Sequence, residues 1–173
     1  TGIMAGSPCP IAVMQRVVSE MHMGEVTIAY GMTETSPVSC QSSTTTPLDK
    51  RVASVGTVQP HLAVKIIDPD SGAIVGPGQR GELCTQGYSV MLGYWEDPAK
   101  TAEAIDAEGW LHTGDVGRVD DDGYFYITDR MKDIIITAGG KNITPSEWEN
   151  QLKFSPYVTD AVVIGDKRAY LSC

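Results

Sequence analysis

No C-x-x-C pair occurs anywhere in these 173 residues. The four cysteines, Cys9, Cys40, Cys84 and Cys173, stand far apart, which argues against a zinc ribbon or a disulfide framework and for a reducing, intracellular compartment. His22, His61 and His112 are as scattered, with no pair at metal-ligand spacing, so each reads as an ordinary surface or core imidazole. Positive charge is also scarce. The 13 Lys and Arg against 22 Asp and Glu leave a net −9, which disfavours sequence-independent nucleic-acid binding, because that requires a basic surface to displace counterions. An acidic total still permits a local basic pocket for phosphates. No apolar run approaches the roughly 18–20 residues of a membrane helix. Repeats and low-complexity tracts are missing too, apart from the polar run Ser42-Ser43-Thr44-Thr45-Thr46, which reads as an exposed loop. The opening Thr1-Gly2-Ile3-Met4-Ala5-Gly6 has neither an initiator Met nor a cationic leader. The chain is therefore expected to begin inside a longer protein, and cytoplasm and mitochondrial matrix both stay open.

What is present is an apolar content of 42% with 18 Gly and 10 Pro, the profile of a folded, turn-rich chain. Its length suits one core, or one domain and part of a second. Ile11, Met14, Val17, Val18 and Met21 recur at helical spacing over 11–22, and Glu25–Tyr30 follows as a strand that breaks at Gly31. A polar loop at the C-terminal end of a strand is where α/β folds place ligands. From about residue 56, short strands alternate with turn clusters: 63–68, 73–75, 81–85, 116–119 and 124–128, read as a meander or small barrel. One short helix interrupts them, with Asp97 as N-cap and Pro98 at its first position. Asp120-Asp121-Asp122-Gly123 lacks the alternate ligand spacing of a calcium loop and reads as a hairpin turn. Beyond Arg130, a strand at 134–137, a helix from Pro145 to Lys153 and a strand at 158–164 are expected, with Thr144 and Glu147 suited to a capping box.

Three stretches carry candidate chemistry. Thr33 and Glu34 put a hydroxyl and a carboxylate just past a strand end, able to hold a phosphate oxygen and Mg²⁺ together, and Tyr30 offers a flat face for a purine. On chemistry alone, a polar loop with a buried Tyr is an equal alternative. Asp115, beside Thr113 and Gly114, is a carboxylate on a tight turn that can accept both hydrogen bonds of a ribose diol, although Asp in such turns is common. Arg130 and Lys132 stand where the β-rich part ends, and a guanidinium there can reach ribose or phosphate oxygens. Solvated linker charges are the other reading.

Taken in order, these stretches resemble the acyl-adenylate-forming (AMP-binding) superfamily of acyl-CoA synthetases, luciferases and peptide-synthetase adenylation domains. The resemblance covers nearly the whole chain. Gly6-Ser7-Pro8 matches the small-residue loop lining the nucleotide and acyl pocket. Tyr30-Gly31-Met32-Thr33-Glu34 matches the motif whose aromatic packs on adenine, whose Thr contacts the α-phosphate and whose Glu coordinates Mg²⁺. The stretch from Gly81-Glu82-Leu83 to Gly93-Tyr94-Trp95 matches the structural β-motif that follows. Gly109-Trp110 with Thr113-Gly114-Asp115 matches the ribose motif, Arg130 the ribose-contacting Arg, and Lys132 the hinge. Gly139 and Gly140, within Ala138–Ile143, match the loop lining the pantetheine tunnel. Two departures stand out: Asp129 where the family usually has Gly, and Trp148 where an aliphatic side chain is usual on a helix face expected to pack inward.

The resemblance implies an α/β fold with a β-barrel subdomain, divided as 1–58 (end of the α/β subdomain), 59–129 (β-rich, distorted barrel), 130–132 (hinge) and 133–173 (start of an α+β lid domain). It implies a fatty acid–CoA ligase of medium- or long-chain preference, using ATP and Mg²⁺, with CoA and a fatty acid as the other ligands. No phosphate loop of the S-G-[ST]-T-G-x-P-K type lies within these residues, and the lid domain's catalytic Lys is expected beyond Cys173. The 173 residues alone are therefore expected to be inactive. A peptide-synthetase adenylation domain, a luciferase-like enzyme and a non-catalytic nucleotide-binding fragment remain alternatives.

Overall fold

Continuous burial along Val26–Ala29 and a helical stripe before it set up the first layer of the protein. The computed structural model describes residues 1–139, 142–153, 155 and 157–173. These divide into two compact units, Thr1–Thr113 with Gly117–Ile127, and Gly114–Val116 with Thr128–Cys173.

The first unit opens with strand β1 (Gly2–Met4), helix α1 (Ile11–Glu20) and strand β2 (Val26–Tyr30). β1 and β2 pair in parallel, Gly2 opposite Val26 and Met4 opposite Ile28. Met14 on α1 is fully buried against Val26 and Ile28, with Met4, Val17, Leu48 and Val52 around them. Burying such a side chain contributes about 1.5–3 kcal/mol, so this stripe holds α1 on the sheet. Strands β3 (Cys40–Gln41) and β4 (Thr57–Val58) extend the sheet antiparallel, in the order β1-β2-β3-β4.

Between them lies helix α2 (Leu48–Ala53), whose Arg51 is buried. Its guanidinium donates to the carbonyls of Gly24, Val26, Thr44 and Thr46. This corrects the expected exposed loop at 42–46. Ser42 and Thr46 are buried, Ser42 Oγ accepts from Ile28 N–H at 2.8 Å, and only the middle of the run faces solvent.

A second sheet runs β5 (Leu62–Ile67), β6 (Gly81–Gly87), β7 (Leu111–Val119) and β8 (Phe125–Arg130), in sequential order. β5 and β6 are antiparallel from Leu62–Gly87 to Ile67–Glu82. Ile66, Leu83 and Phe125 form its core together with Cys40. The expected barrel is not formed by the described residues. Closure would make β5 and β8 neighbours, and in this sheet they are its two edges. Helix α3 (Pro98–Ala104) starts as its cap chemistry dictates, Asp97 Oδ1 accepting from Lys100 N–H at 3.0 Å. The triple-Asp segment is a hairpin turn, with Lys50 Nζ 2.6 Å from Asp122 and 3.3 Å from Asp120.

The second unit contains β9 (Ile135–Ile136) paired antiparallel with β10 (Asn142–Ile143), then α4 (Pro145–Lys153). The expected strand at 158–164 is absent. Glu149 Oε1 takes the Val163 N–H at 2.8 Å, leaving only an isolated bridge between Ile164 and Ser172. Trp148 does not pack inward as expected but is 56% exposed. No described helix is long and apolar enough to cross a membrane.

Candidate functional site

Because β1 and β2 are parallel neighbours, the loops at their C-terminal ends leave the sheet on the same side. One is Gly6-Ser7-Pro8, exposed, with Gly6 at φ +86. The other begins at Tyr30, which is half-buried and packs against the Cys40–Ile66–Leu83–Phe125 cluster. Gly31 follows where a side chain has no room: a Cβ there would overlap the Pro37 carbonyl oxygen. Met32 then leads into one 3₁₀ turn, Thr33–Thr35.

Thr35 locks this turn. It is completely buried, and its hydroxyl accepts from Met32 N–H at 3.1 Å while facing the carbonyls of Met32 and Pro37 at 3.1 and 3.2 Å. Thr33 is left exposed and Glu34 half-buried. The Glu34 carbonyl accepts from Met91 N–H at 2.8 Å, and its Oε1 accepts from the Tyr94 hydroxyl at 2.9 Å. The hydrogen bond to Glu34, then burial, then the carboxylate's charge push the Tyr94 phenol above its ordinary range. A hydroxyl and one carboxylate on a fixed, accessible turn suit Mg²⁺, which takes one or two protein carboxylates and completes its shell with phosphate oxygens and water. Thr33 and Glu34 are the residues that would hold it.

Asp115 and Arg130 lie in the second unit, where the structure brings them together. Asp115, on β7, is 6% exposed, and its Oδ1 lies 3.4 Å from Nε of the exposed Arg130 at the end of β8. Thr128 Oγ1 donates to the Val116 carbonyl at 3.1 Å, tying the two strand segments beside the pair. Lys132 is exposed on the single 3₁₀ turn Met131–Asp133 that follows. Just before it, buried Asp129 accepts from Arg130 N–H at 2.8 Å and from Ser146 Oγ at 2.9 Å. Gly139 is exposed, and Gly140 lies outside the described residues.

Sequence reasoning missed a cluster in the first unit. Glu82, Cys84 and His112 bring their donor atoms within 4.8 Å of one another, although 28 residues separate the thiol from the imidazole. His112 Nδ1 is 2.9 Å from Glu82, and Nε2 is 3.7 Å from Asp106. Burial and the nearby Glu82 charge push the Cys84 thiol up to about 12. A thiol that stays protonated and an imidazole within reach of two carboxylates clamp β6 to β7 immediately before Thr113, rather than leaving an isolated imidazole. The i, i+2 spacing of Glu82 and Cys84 on one strand face was the available signal.

Residues 1–95 match the family model described as AMP-binding enzyme, and residues 132–173 match its C-terminal domain. The chain is 49% identical over 169 residues to the acyl-CoA ligase sidI of Aspergillus fumigatus, covering 95% of this chain and 28% of that one. It is 40% identical over 166 residues to the mitochondrial medium-chain acyl-CoA ligase ACSF2 of Bos taurus, covering 96% and 27%. Among solved structures it is similar to o-succinylbenzoate coenzyme A synthetase (MenE) from Bacillus subtilis in complex with AMP (TM-score 0.84, 30% identity, 98% of this chain and 34% of that one). It is also similar to ATP-bound MatB from Rhodopseudomonas palustris (TM-score 0.82, 32% identity, 98% and 33%). The chain thus spans only 27% to 28% of the length of these curated relatives.

Proposed function

Since this chain belongs to the AMP-binding enzyme family, we propose that the protein carrying it is an ATP-dependent fatty acid–CoA ligase. The observation that carries this reading is the Tyr30–Thr35 turn, which presents a hydroxyl and a carboxylate at the end of a parallel strand pair beside the Gly6-Ser7-Pro8 loop. ATP-bound and AMP-bound neighbours support nucleotide use. A fatty acid as substrate rests on the Val90–Trp95 and Asp133–Ile143 wording and on the 40% identity to ACSF2. Medium or long chains fit best.

Two half-reactions follow. A carboxylate oxygen attacks the α-phosphorus of ATP, forming acyl-AMP and releasing pyrophosphate. Tyr30 stacks on adenine, Gly31 and Met32 line the nucleotide, and Thr33 donates to an α-phosphate oxygen. Asp115 accepts from the ribose diol, with Arg130 beside it. Glu34 would hold Mg²⁺, which would supply charge neutralisation at the phosphates. The CoA thiol then attacks the acyl carbonyl, its proton leaves, and AMP departs. On this reading residues 1–58 and 59–129 belong to the large domain, 130–132 are a hinge turning about Lys132, and 133–173 begin the lid whose Gly139-Gly140 loop admits pantetheine. The 173 residues carry no phosphate loop, so by themselves they are expected to catalyse no ATP–pyrophosphate exchange.

The test is turnover by the full-length protein with ATP, Mg²⁺, CoA and straight-chain acids of short, medium and long chain. Acyl-CoA, AMP and pyrophosphate in equal amounts from medium or long acids are expected. Turnover confined to aromatic or dicarboxylic acids would reject the fatty-acid assignment, and none with any acid would reject the ligase.

A further inference from the structure

We infer that Tyr94 is a positioning residue, holding the Glu34 carboxylate in the orientation in which it receives the nucleotide's Mg²⁺. The inference rests on the ligase reading above.

Glu34 is gripped twice by one segment 60 residues away, through its carbonyl by Met91 N–H at 2.8 Å and through Oε1 by the Tyr94 hydroxyl at 2.9 Å. The terminal torsion of a glutamate is broad and nearly unhindered, so a half-buried Glu on a turn would otherwise sample many orientations. A hydrogen bond to one oxygen removes that freedom before ligand arrives, and pre-ordered groups bind more tightly because less entropy is lost on binding. The donor is well matched to the task. The Tyr94 hydroxyl is an uncharged donor set 2.9 Å from Oε1. A phenol also leaves the carboxylate its full negative charge, as a lysine partner would not.

Tyr94 is itself fixed from behind. Its N–H donates to Thr101 Oγ1 at 2.9 Å, and Thr101 Oγ1 donates to the Asp97 carbonyl at 2.8 Å. Asp97 caps α3, so the relay runs from a helix terminus through Thr101 and Tyr94 to Glu34. Gly93 makes the approach possible. Its φ is +149, and a Cβ there would lie 2.8 Å from Thr101 Cγ2 and 2.9 Å from Oγ1. The Tyr94 ring is 39% exposed, so its contribution to core packing is small and Tyr94→Phe retains it.

The experiment is ATP–pyrophosphate exchange by the full-length protein at saturating acid and ATP, titrated with Mg²⁺, alongside direct binding of Mn²⁺ to the nucleotide-bound protein read from its paramagnetic signal, where the same weakening is expected. Tyr94→Phe is expected to raise the Mg²⁺ concentration for half-maximal exchange by about tenfold, the size of one lost hydrogen bond to a charged group, with a near-normal plateau. Thr101→Val should shift it in the same direction by less. Tyr88→Phe, a 77% exposed neighbour, should shift nothing. An unchanged Mg²⁺ midpoint in an active Tyr94→Phe enzyme overturns the inference, as does an equal loss of rate at every Mg²⁺ concentration, which marks a merely structural role. A wild type without exchange for any acid removes the ligase reading and this inference with it.

Discussion

The loop after β2 is held by neutral hydrogen bonds to its own backbone, whereas Asp115 on β7 is a buried carboxylate facing a guanidinium. In the first region Thr35, wholly buried, closes a turn over four residues, and Gly31 lets the Pro37 carbonyl pass close by. In the second, a carboxylate 6% exposed lies 3.4 Å from the Arg130 guanidinium. Shape defines the one and charge the other. Substitutions that alter volume should therefore damage the first, and those that alter charge at constant volume should damage the second.

The largest effect is expected from Gly31→Ala. The new methyl must displace backbone at Pro37, so thermal unfolding should show a loss of about 3 kcal/mol or more, together with loss of exchange activity. A native melting curve would break the claim that shape governs this loop. Asp115→Asn should do the reverse, leaving the melting temperature close to wild type and raising the ATP KM by about 10- to 100-fold, the range for hydrogen bonds to a charged group. Loss of folding without a KM effect would invert the comparison. Thr35→Val should cost about 1–3 kcal/mol in chemical denaturation by orphaning the Met32 N–H, and Thr35→Ser should restore most of it. Equal losses for both would assign the effect to packing instead.

The smallest effect concerns pH. Cys40 pairs with Tyr30 across β2 and β3, and burial pushes its thiol up to about 12. An unfolded thiol ionises near pH 8.5–9, so above that the unfolded chain has already lost a proton the native state retains. The contribution is complete below about pH 9 and is lost as pH rises toward 12, by at most about 1.4 kcal/mol per pH unit. Unfolding free energies measured from pH 8 to 10.5 should fall, and Cys40→Ala should flatten the slope. A slope unchanged by that substitution would place the alkaline sensitivity elsewhere.

Legibility in the sequence followed the range of the interactions. The Asp97–Pro98 helix start was readable because a cap acts over three residues, and the helices at 11 and 145 because their patterns are local. Strands β1, β3 and β4 have two or three residues each, too few for any period to register. Helix α2 hid behind polar Asp49, Lys50 and Arg51, since only tertiary structure shows that Arg51 points inward to four carbonyls. The strand expected at 158–164 has the right composition but pairs, among the described residues, only through the Ile164–Ser172 bridge, and a ladder needs more than one rung. The site divided in the same way. Thr33, Glu34, Asp115 and Arg130 announced themselves through motif chemistry. The Tyr94–Glu34 and Glu82–His112 contacts span 60 and 30 residues and belong to the fold alone.

The parallel pair of β1 and β2 works as a ruler with only three marks, Gly2–Val26, Ile3–Thr27 and Met4–Ile28. A slip by one mark would carry Gly6-Ser7-Pro8 about 3.3 Å along the sheet relative to Thr33 and turn the side chains of β1 onto the opposite face. That displacement is larger than a hydrogen bond is long, so the span between the two loops is calibrated by a ladder of three residue pairs. On the ligase reading, residues of β1 would therefore set the spacing of these loops without touching a ligand.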